Sequence, residues 1–146
     1  MREIKVRFWD KKLNIMWEPI ELKKLLSYLL FQSMPNSDGY IALRGHFEEM
    51  VPLQFTELMD FKNKEIYEGD FVEIIGDEFY SNDVFSIDRT EDESWKIVGE
   101  VCMSGFMWIV EMADKTWIPF FDIVYNDFEF NIIGNLYETP ELIGKP

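Results

Sequence analysis

The chain has one histidine, His46, and one cysteine, Cys102, so a nucleophile–base pair could be built only from these two. The chemistry would be thiolate attack assisted by an imidazole. Cys102 sits between Val101 and Met103 in a β-rich run, where a cysteine reads as a small buried hydrophobe. A lone cysteine makes neither an internal disulfide nor a zinc cluster. His46 is followed by Glu48 and Glu49, but no second ligand stands at a metal-like spacing, so no metal centre is expected. The strongest carboxylate candidate is Glu68-Gly69-Asp70, which as an acid and base could move protons. With 28 acidic residues, however, every surface offers carboxylate pairs. A turn aspartate such as Asp70 is better used accepting hydrogen bonds from nearby backbone N–H groups. The acidic stretch 88–93 lacks the register of a calcium loop, and the isolated glycines form no phosphate loop. No catalytic, cofactor-binding or metal-ligating residue is assigned, and a non-enzymatic protein is expected.

Composition narrows the class further. The 146 residues suit one domain with a proper core, and 47% hydrophobic content argues against overall disorder. The net charge of −14 repels phosphate backbones, so direct nucleic-acid binding is disfavoured. Lys5, Arg7, Lys11 and Lys12 are the only dense basic group. The acidity serves solubility in the plain reading and mimicry of DNA charge in the sharper one. Thirteen Phe, six Tyr and five Trp are many for a core of this size, and surplus aromatics commonly lie at interfaces. Self-association is therefore expected. The charged N-terminus and the absence of a long apolar run point to a cytoplasmic protein without a membrane span.

The elements that must position these residues are mostly strands. Ile4, Val6 and Phe8 alternate with Lys5 and Arg7 as a strand does. Trp9 is expected in the core, Asp10 starts a turn, and Leu13 to Trp17 return as a hairpin. Leu22, Leu25, Leu26 and Leu29 form one helical stripe, predicting a helix over 20–31 with Pro19 in its first turn. Residues 40–44 read as a strand and 76–94 as an acidic inter-strand excursion with a mobile tip at 88–94. Asp60 to Asn63 is a turn cluster. Gly69 suits a positive φ, and Phe71 to Ile75 read as a strand. The best hairpin spans 95–112, with Trp95, Ile97, Gly99, Val101 and Met103 on one face and Ser104-Gly105 as the connection. Trp117-Ile118 end a strand, 119–125 is either a helical turn or extended, and Asp127 to Leu136 is a last strand. Thr139-Pro140-Glu141 is a helix start, with Thr139 as N-cap.

Three segments together resemble the YopX family of phage and prophage proteins. Gln54, Thr56, Leu58, Asp60, Lys64, Ile66, Tyr67, Glu68, Gly69, Asp70 and Val72 match its central pattern. Ile4 to Asp10, with Trp9-Asp10, match its N-terminal segment. Ile132 to Leu142, with Gly134-Asn135 and Pro140, match its C-terminal one. Glu57 stands where the family usually has Gly, and Asn63 replaces the turn Gly; Asn tolerates the left-handed region. The resemblance implies an SH3-type barrel and no particular activity.

The expectation is thus one mainly β (α+β) domain over 1–146. N-terminal strands and a helix (1–51) pack on an SH3-type barrel (52–138), and a C-terminal turn (139–146) follows. The motif residues Trp9, Asp10, Tyr67, Glu68, Gly69, Asp70, Gly134, Asn135 and Pro140 are given structural roles. The expected function is protein interaction, as a homo-oligomer or with a host or phage protein. The alternative is a nucleic-acid-associated barrel or an acidic DNA mimic acting on a host enzyme.

Overall fold

The computed structural model describes residues 4–21, 23–24, 49–76 and 95–143. The strand expected at 40–44, His46, the excursion at 77–94 and most of the helix expected over 20–31 lie outside them. The chain divides into two compact units, Met1–Phe55 and Thr56–Pro146.

In the first unit, β1 (Lys5–Asp10) and β2 (Ile15–Glu21) form an antiparallel hairpin. The first half of β3 (Met50–Met59) pairs with the other edge of β1, from Val6↔Gln54 to Asp10↔Met50. Phe8 and Met50 are buried, with Val6, Trp17 and Ile20 packed against them. Trp9 is buried and Asp10 fully so. Asp10 turns the chain by accepting the Lys12 and Leu13 N–H groups at 2.9 Å each, and its second oxygen accepts the Trp17 indole N–H at 3.2 Å.

Pro19 corrects the expected helix boundary. It lies in β2 rather than in a first helical turn, and of the described residues within 20–31 only Lys23 and Lys24 are helical. The pairing runs Val6↔Ile20 and then Phe8↔Trp17, so β2 carries one extra residue there, a bulge at Glu18-Pro19. Proline lacks the N–H a ladder needs, and a bulge on an edge strand is where it costs least.

In the second unit, five antiparallel strands follow the order β8-β7-β6-β5-β9. They are β5 (Asp70–Gly76), β6 (Trp95–Ser104), β7 (Met107–Glu111), β8 (Trp117–Pro119) and β9 (Glu129–Asn135). The short β4 (Glu65–Tyr67) lies beside the end of β3. Helix α1 (Phe120–Tyr125) settles the stretch left open between helical turn and extended chain. Ile66, Val72, Ile74, Trp95, Val101, Val110, Ile118, Phe120, Ile123, Phe128 and Phe130 form one core, as expected of runs 66–75, 95–112 and 128–136. Edge-on ring pairs lock it: Trp95 on Phe128 at 4.8 Å and Phe120 on Phe130 at 5.5 Å between centroids. Each such pair adds about 0.5–1.5 kcal/mol beyond burial. Among the described residues the chain is mainly β, and the second unit is barrel-like, with α1 as its short helix.

Two details of turn chemistry differ from expectation. The β6–β7 loop is Gly105-Phe106, because Ser104 pairs with Met107. Gly105 has φ 62° and Phe106 has no positive φ, the pattern of a type II′ turn with glycine at its first central position. Thr139 does not cap a helix with its hydroxyl. That oxygen accepts the Asn135 N–H at 2.9 Å, while Pro140–Ile143 form a 3-10 turn.

Glu57 lies within β3 with φ 69°, a left-handed residue inside a strand. Thr56 supports the kink: its hydroxyl donates to the Ile66 carbonyl at 2.8 Å and accepts the Leu58 N–H at 3.2 Å. A side chain at such a φ costs about 1–2 kcal/mol, less the extra chain entropy a glycine brings. Glu57→Gly is therefore expected to stabilise the protein by about 0.5–1 kcal/mol. Urea unfolding checks it, and a midpoint at or below that of the parent chain would contradict it.

Candidate functional site

The residues from Tyr67 to Asp70 form the tight corner between β4 and β5. Gly69 takes φ 82°, which a Cβ would oppose. Asp70, 1% exposed, accepts the Tyr67 N–H at 2.8 Å and so fixes the corner, the role expected from its place in the turn. Tyr67 is buried, and its hydroxyl donates to Glu65 Oε2 at 2.7 Å.

The C-terminal motif comes to the same corner. Asp70 pairs with Asn135 and Phe71 with Gly134 across β5 and β9. The Leu136 N–H donates to the Gly69 carbonyl at 2.8 Å, and the Gly69 N–H donates to the Val101 carbonyl at 2.8 Å. Asn135 builds the following turn: its side-chain oxygen accepts the Tyr137 and Glu138 N–H groups at 3.0 and 2.9 Å. Its amide donates to Glu138 Oε1 at 2.9 Å. Gly134 has no room for a Cβ, which would run into the Thr139 and Leu142 side chains. Pro140 opens the 3-10 turn. Tyr67, Glu68, Gly69, Asp70, Gly134 and Asn135 are thus brought together, while Trp9 and Asp10 belong to the first unit.

Asp60 repeats the device over a longer distance. One oxygen accepts the Lys62 and Lys64 N–H groups at 2.8 and 2.9 Å, and the other accepts the Ile132 N–H at 3.1 Å. Beside it the Phe61 N–H donates to the Phe130 carbonyl at 3.2 Å. Ile132 N–H and Phe130 C=O point to the edge of β9 away from β5, so this turn does there what another strand would do. Asn63 takes φ 60° inside it, as its tolerance of the left-handed region allows. Burial pushes the Asp60 carboxyl up, but the N–H groups of Lys64, Ile132 and Lys62, with the Lys64 charge, outweigh that and hold it below its ordinary value of 3.8.

These carboxylates are therefore committed to backbone N–H groups, which leaves them poorly placed for proton transfer. Cys102 is equally ill suited to attack. Burial first, and then Glu111, Glu100 and Glu68, push its thiol up to about 11. Against an ordinary 9.0 the thiolate fraction at pH 8 falls about 100-fold. Alkylation by iodoacetamide at pH 8 is expected to be about tenfold slower than that of a free thiol, because the more basic thiolate is also the better nucleophile and offsets part of that loss. A rate within threefold of a free thiol would show a different environment. The Tyr137 hydroxyl is raised by burial and by Glu100 and Glu68. Among the described residues no group of three or more His, Cys, Asp and Glu could hold a metal ion, and no helix is long and apolar enough to cross a membrane.

What remains chemically distinctive is apolar surface. Phe106 at the β6–β7 loop is completely exposed, Phe121 and Tyr125 on α1 are 73% and 77% exposed, and Met103, Met107 and Val124 are exposed too. The sequence held a signal for part of this. In Phe120–Tyr125, Phe120 and Ile123 make one stripe and Phe121, Val124 and Tyr125 a second. A six-residue helix buries one stripe and leaves the other in water.

The family model described as "YopX protein" matches residues 5–144. Among solved structures, the crystal structure of protein EF1440 from Enterococcus faecalis is similar at 16% identity and a TM-score of 0.44, covering 96% of this chain and 97% of that one. No curated protein matches the chain.

Proposed function

The chain belongs to the YopX family, and from that premise we propose that it is a phage- or prophage-encoded, non-enzymatic protein-interaction module acting in the host cytoplasm. What supports this reading is the division of labour among its side chains. The buried motif carboxylates hold turns, whereas Phe106, Phe121 and Tyr125 are left in water. Exposed aromatic rings of this kind cost solubility unless a partner covers them, and they are typical anchors of protein interfaces.

The test is affinity capture from phage-infected cells with the parent chain and a Phe106→Ser/Phe121→Ser variant of equal melting temperature. A partner held by the first and lost by the second is expected. Capture of nothing by either, or of one partner equally by both, would count against the reading.

Self-association is the second reading, favoured by β2, which among the described residues is an edge strand with Ile15 exposed. Light scattering at high concentration tests it, and a clean monomer would remove it. A nucleic-acid role or charge mimicry of DNA rests on the fold class and the acidity alone. A gel shift with mixed DNA and RNA at low salt decides the former, and the charge of −14 predicts no shift.

A further inference from the structure

Charge is unevenly shared along the chain. Among the described residues, basic side chains outnumber carboxylates in the first unit, while carboxylates outnumber basic side chains more than threefold in the second. Two exposed surfaces carry that contrast together with apolar side chains.

The first is the tip of the β1–β2 hairpin, residues 11–15. Asp10 is buried beneath it, its carboxylate committed to the Lys12 and Leu13 N–H groups and the Trp17 indole. The exposed charges of the tip are therefore Lys11 and Lys12. Glu49 lies beside Lys11, whose N–H donates to its carbonyl at 3.0 Å, but no ion pair joins the two side chains. Leu13 and Ile15, 49% and 42% exposed, stand next to the two lysines. Asp10 pairs with Ile15 across the strands, so the tip backbone has little freedom to lose on binding.

The second is the outward face of α1. The Phe121 and Tyr125 rings stack there at 5.8 Å between centroids. Asp122 adjoins Phe121 and lies three residues before Tyr125, which puts it on the same side of the helix. Asp127 follows just beyond the helix end and is exposed. The sequence has no basic residue between Lys115 and Lys145. Among the described residues neither aspartate makes an ion pair, and neither do Lys11 and Lys12. Six helical residues rise about 9 Å, room for two strands about 4.8 Å apart.

Copies of a chain of net charge −14 repel one another. A contact that sets α1 against α1 adds carboxylate to carboxylate, whereas one that sets the tip against α1 joins unlike charges. The sign of the two surfaces thus selects a contact between different surfaces over one between like surfaces.

We propose that α1 takes the β1–β2 hairpin tip of a second copy of this chain, with Leu13 and Ile15 on Phe121 and Tyr125, and Lys11 and Lys12 against Asp122 and Asp127. The proposal rests on the reading of self-association and names its two surfaces.

Light scattering of the full chain over a concentration series reads the contact. The parent is expected to associate. Lys11→Glu/Lys12→Glu sets glutamates against the aspartates of α1. Asp122→Lys/Asp127→Asn sets a lysine against the lysines of the tip; asparagine suits position 127 because Asp127 has φ 59°. Each variant alone should associate at least about tenfold more weakly than the parent. An equimolar mixture of the two should return to within about threefold of the parent, because each altered surface then meets its opposite. Leu13→Ser/Ile15→Ser should weaken association about tenfold, and mixing with the parent chain's equal of either charge variant should not restore it. Melting temperatures confirm that the variants fold.

A parent chain that associates as strongly as both charge variants would overturn the proposal while leaving self-association standing. Two weakened variants that do not recover on mixing would overturn it as well. A parent that stays monomeric at every concentration would overturn both the proposal and the self-association reading, and would leave only a different protein as the partner.

Discussion

Asp60→Ala is expected to cost about 3–4 kcal/mol and to lower the melting temperature by about 10 °C, because it strands N–H groups at about 1–3 kcal/mol each. Asp60 is 4% exposed and takes the N–H groups of Lys62, Lys64 and Ile132, so water cannot readily replace it. The last of these ties the 60–64 turn to β9, so the loss reaches beyond a local turn. Asp60→Asn is expected to fall between parent and alanine, since its NH2 group can accept nothing and must face one of the three donors. The same bonds set a pH dependence. The folded carboxyl titrates below its ordinary value of 3.8. Its contribution is therefore complete above that value and lost as the pH falls through the folded value, with protonation. Below about pH 4 the parent chain should lose stability faster than Asp60→Ala, which has nothing left there to protonate. Parallel acid melts of the two that do not converge would show that Asp60 is not the group responsible.

Gly99→Val should cost about 3 kcal/mol, at the upper end of overpacking effects. Gly99 lies in β6 opposite Val72, and a Cβ there would sit 2.5 Å from Val110 Cγ1 and 2.8 Å from the Glu111 carbonyl oxygen. A backbone carbonyl in a paired strand cannot swing aside as a side-chain end can. Gly105→Ala separates space from backbone conformation. Nothing lies within 4 Å of a Cβ at Gly105, yet its φ is 62°, so a loss of only about 1 kcal/mol is expected. Equal losses at the two positions in thermal melts would show that crowding at Gly99 is not what matters.

The fold was legible where chemistry is local. Asp10, Gly69 and Asp70 could be placed because a short carboxylate reaches N–H groups two or three residues away, and because glycine takes a positive φ freely. The common interior of the three apolar runs was legible from period-2 alternation. Pro19 misled because a proline before an apolar stripe marks a first helical turn and a bulged edge strand alike. The β6–β7 loop was set one residue early because Ser104-Gly105 fixes where the glycine is, not which of its neighbours shares the turn. Asp60's bond to Ile132 spans 72 residues, and no local pattern carries it. The exposed rings were legible only as a surplus. Thirteen phenylalanines say that some are left over, and the ladder that brings Pro119 beside Ile109 says which.

The claim on which the rest depends is that the motif acids hold backbone while the outward rings meet partners. Amide hydrogen exchange tests it most directly, read at Lys62, Lys64 and Ile132 in the parent chain, in Asp60→Ala and in Phe106→Ser. Strong protection in the parent is expected, falling by about 100-fold or more in Asp60→Ala and unchanged in Phe106→Ser. Fast exchange at these amides in the parent chain, or protection that survives the loss of the carboxylate, would contradict it.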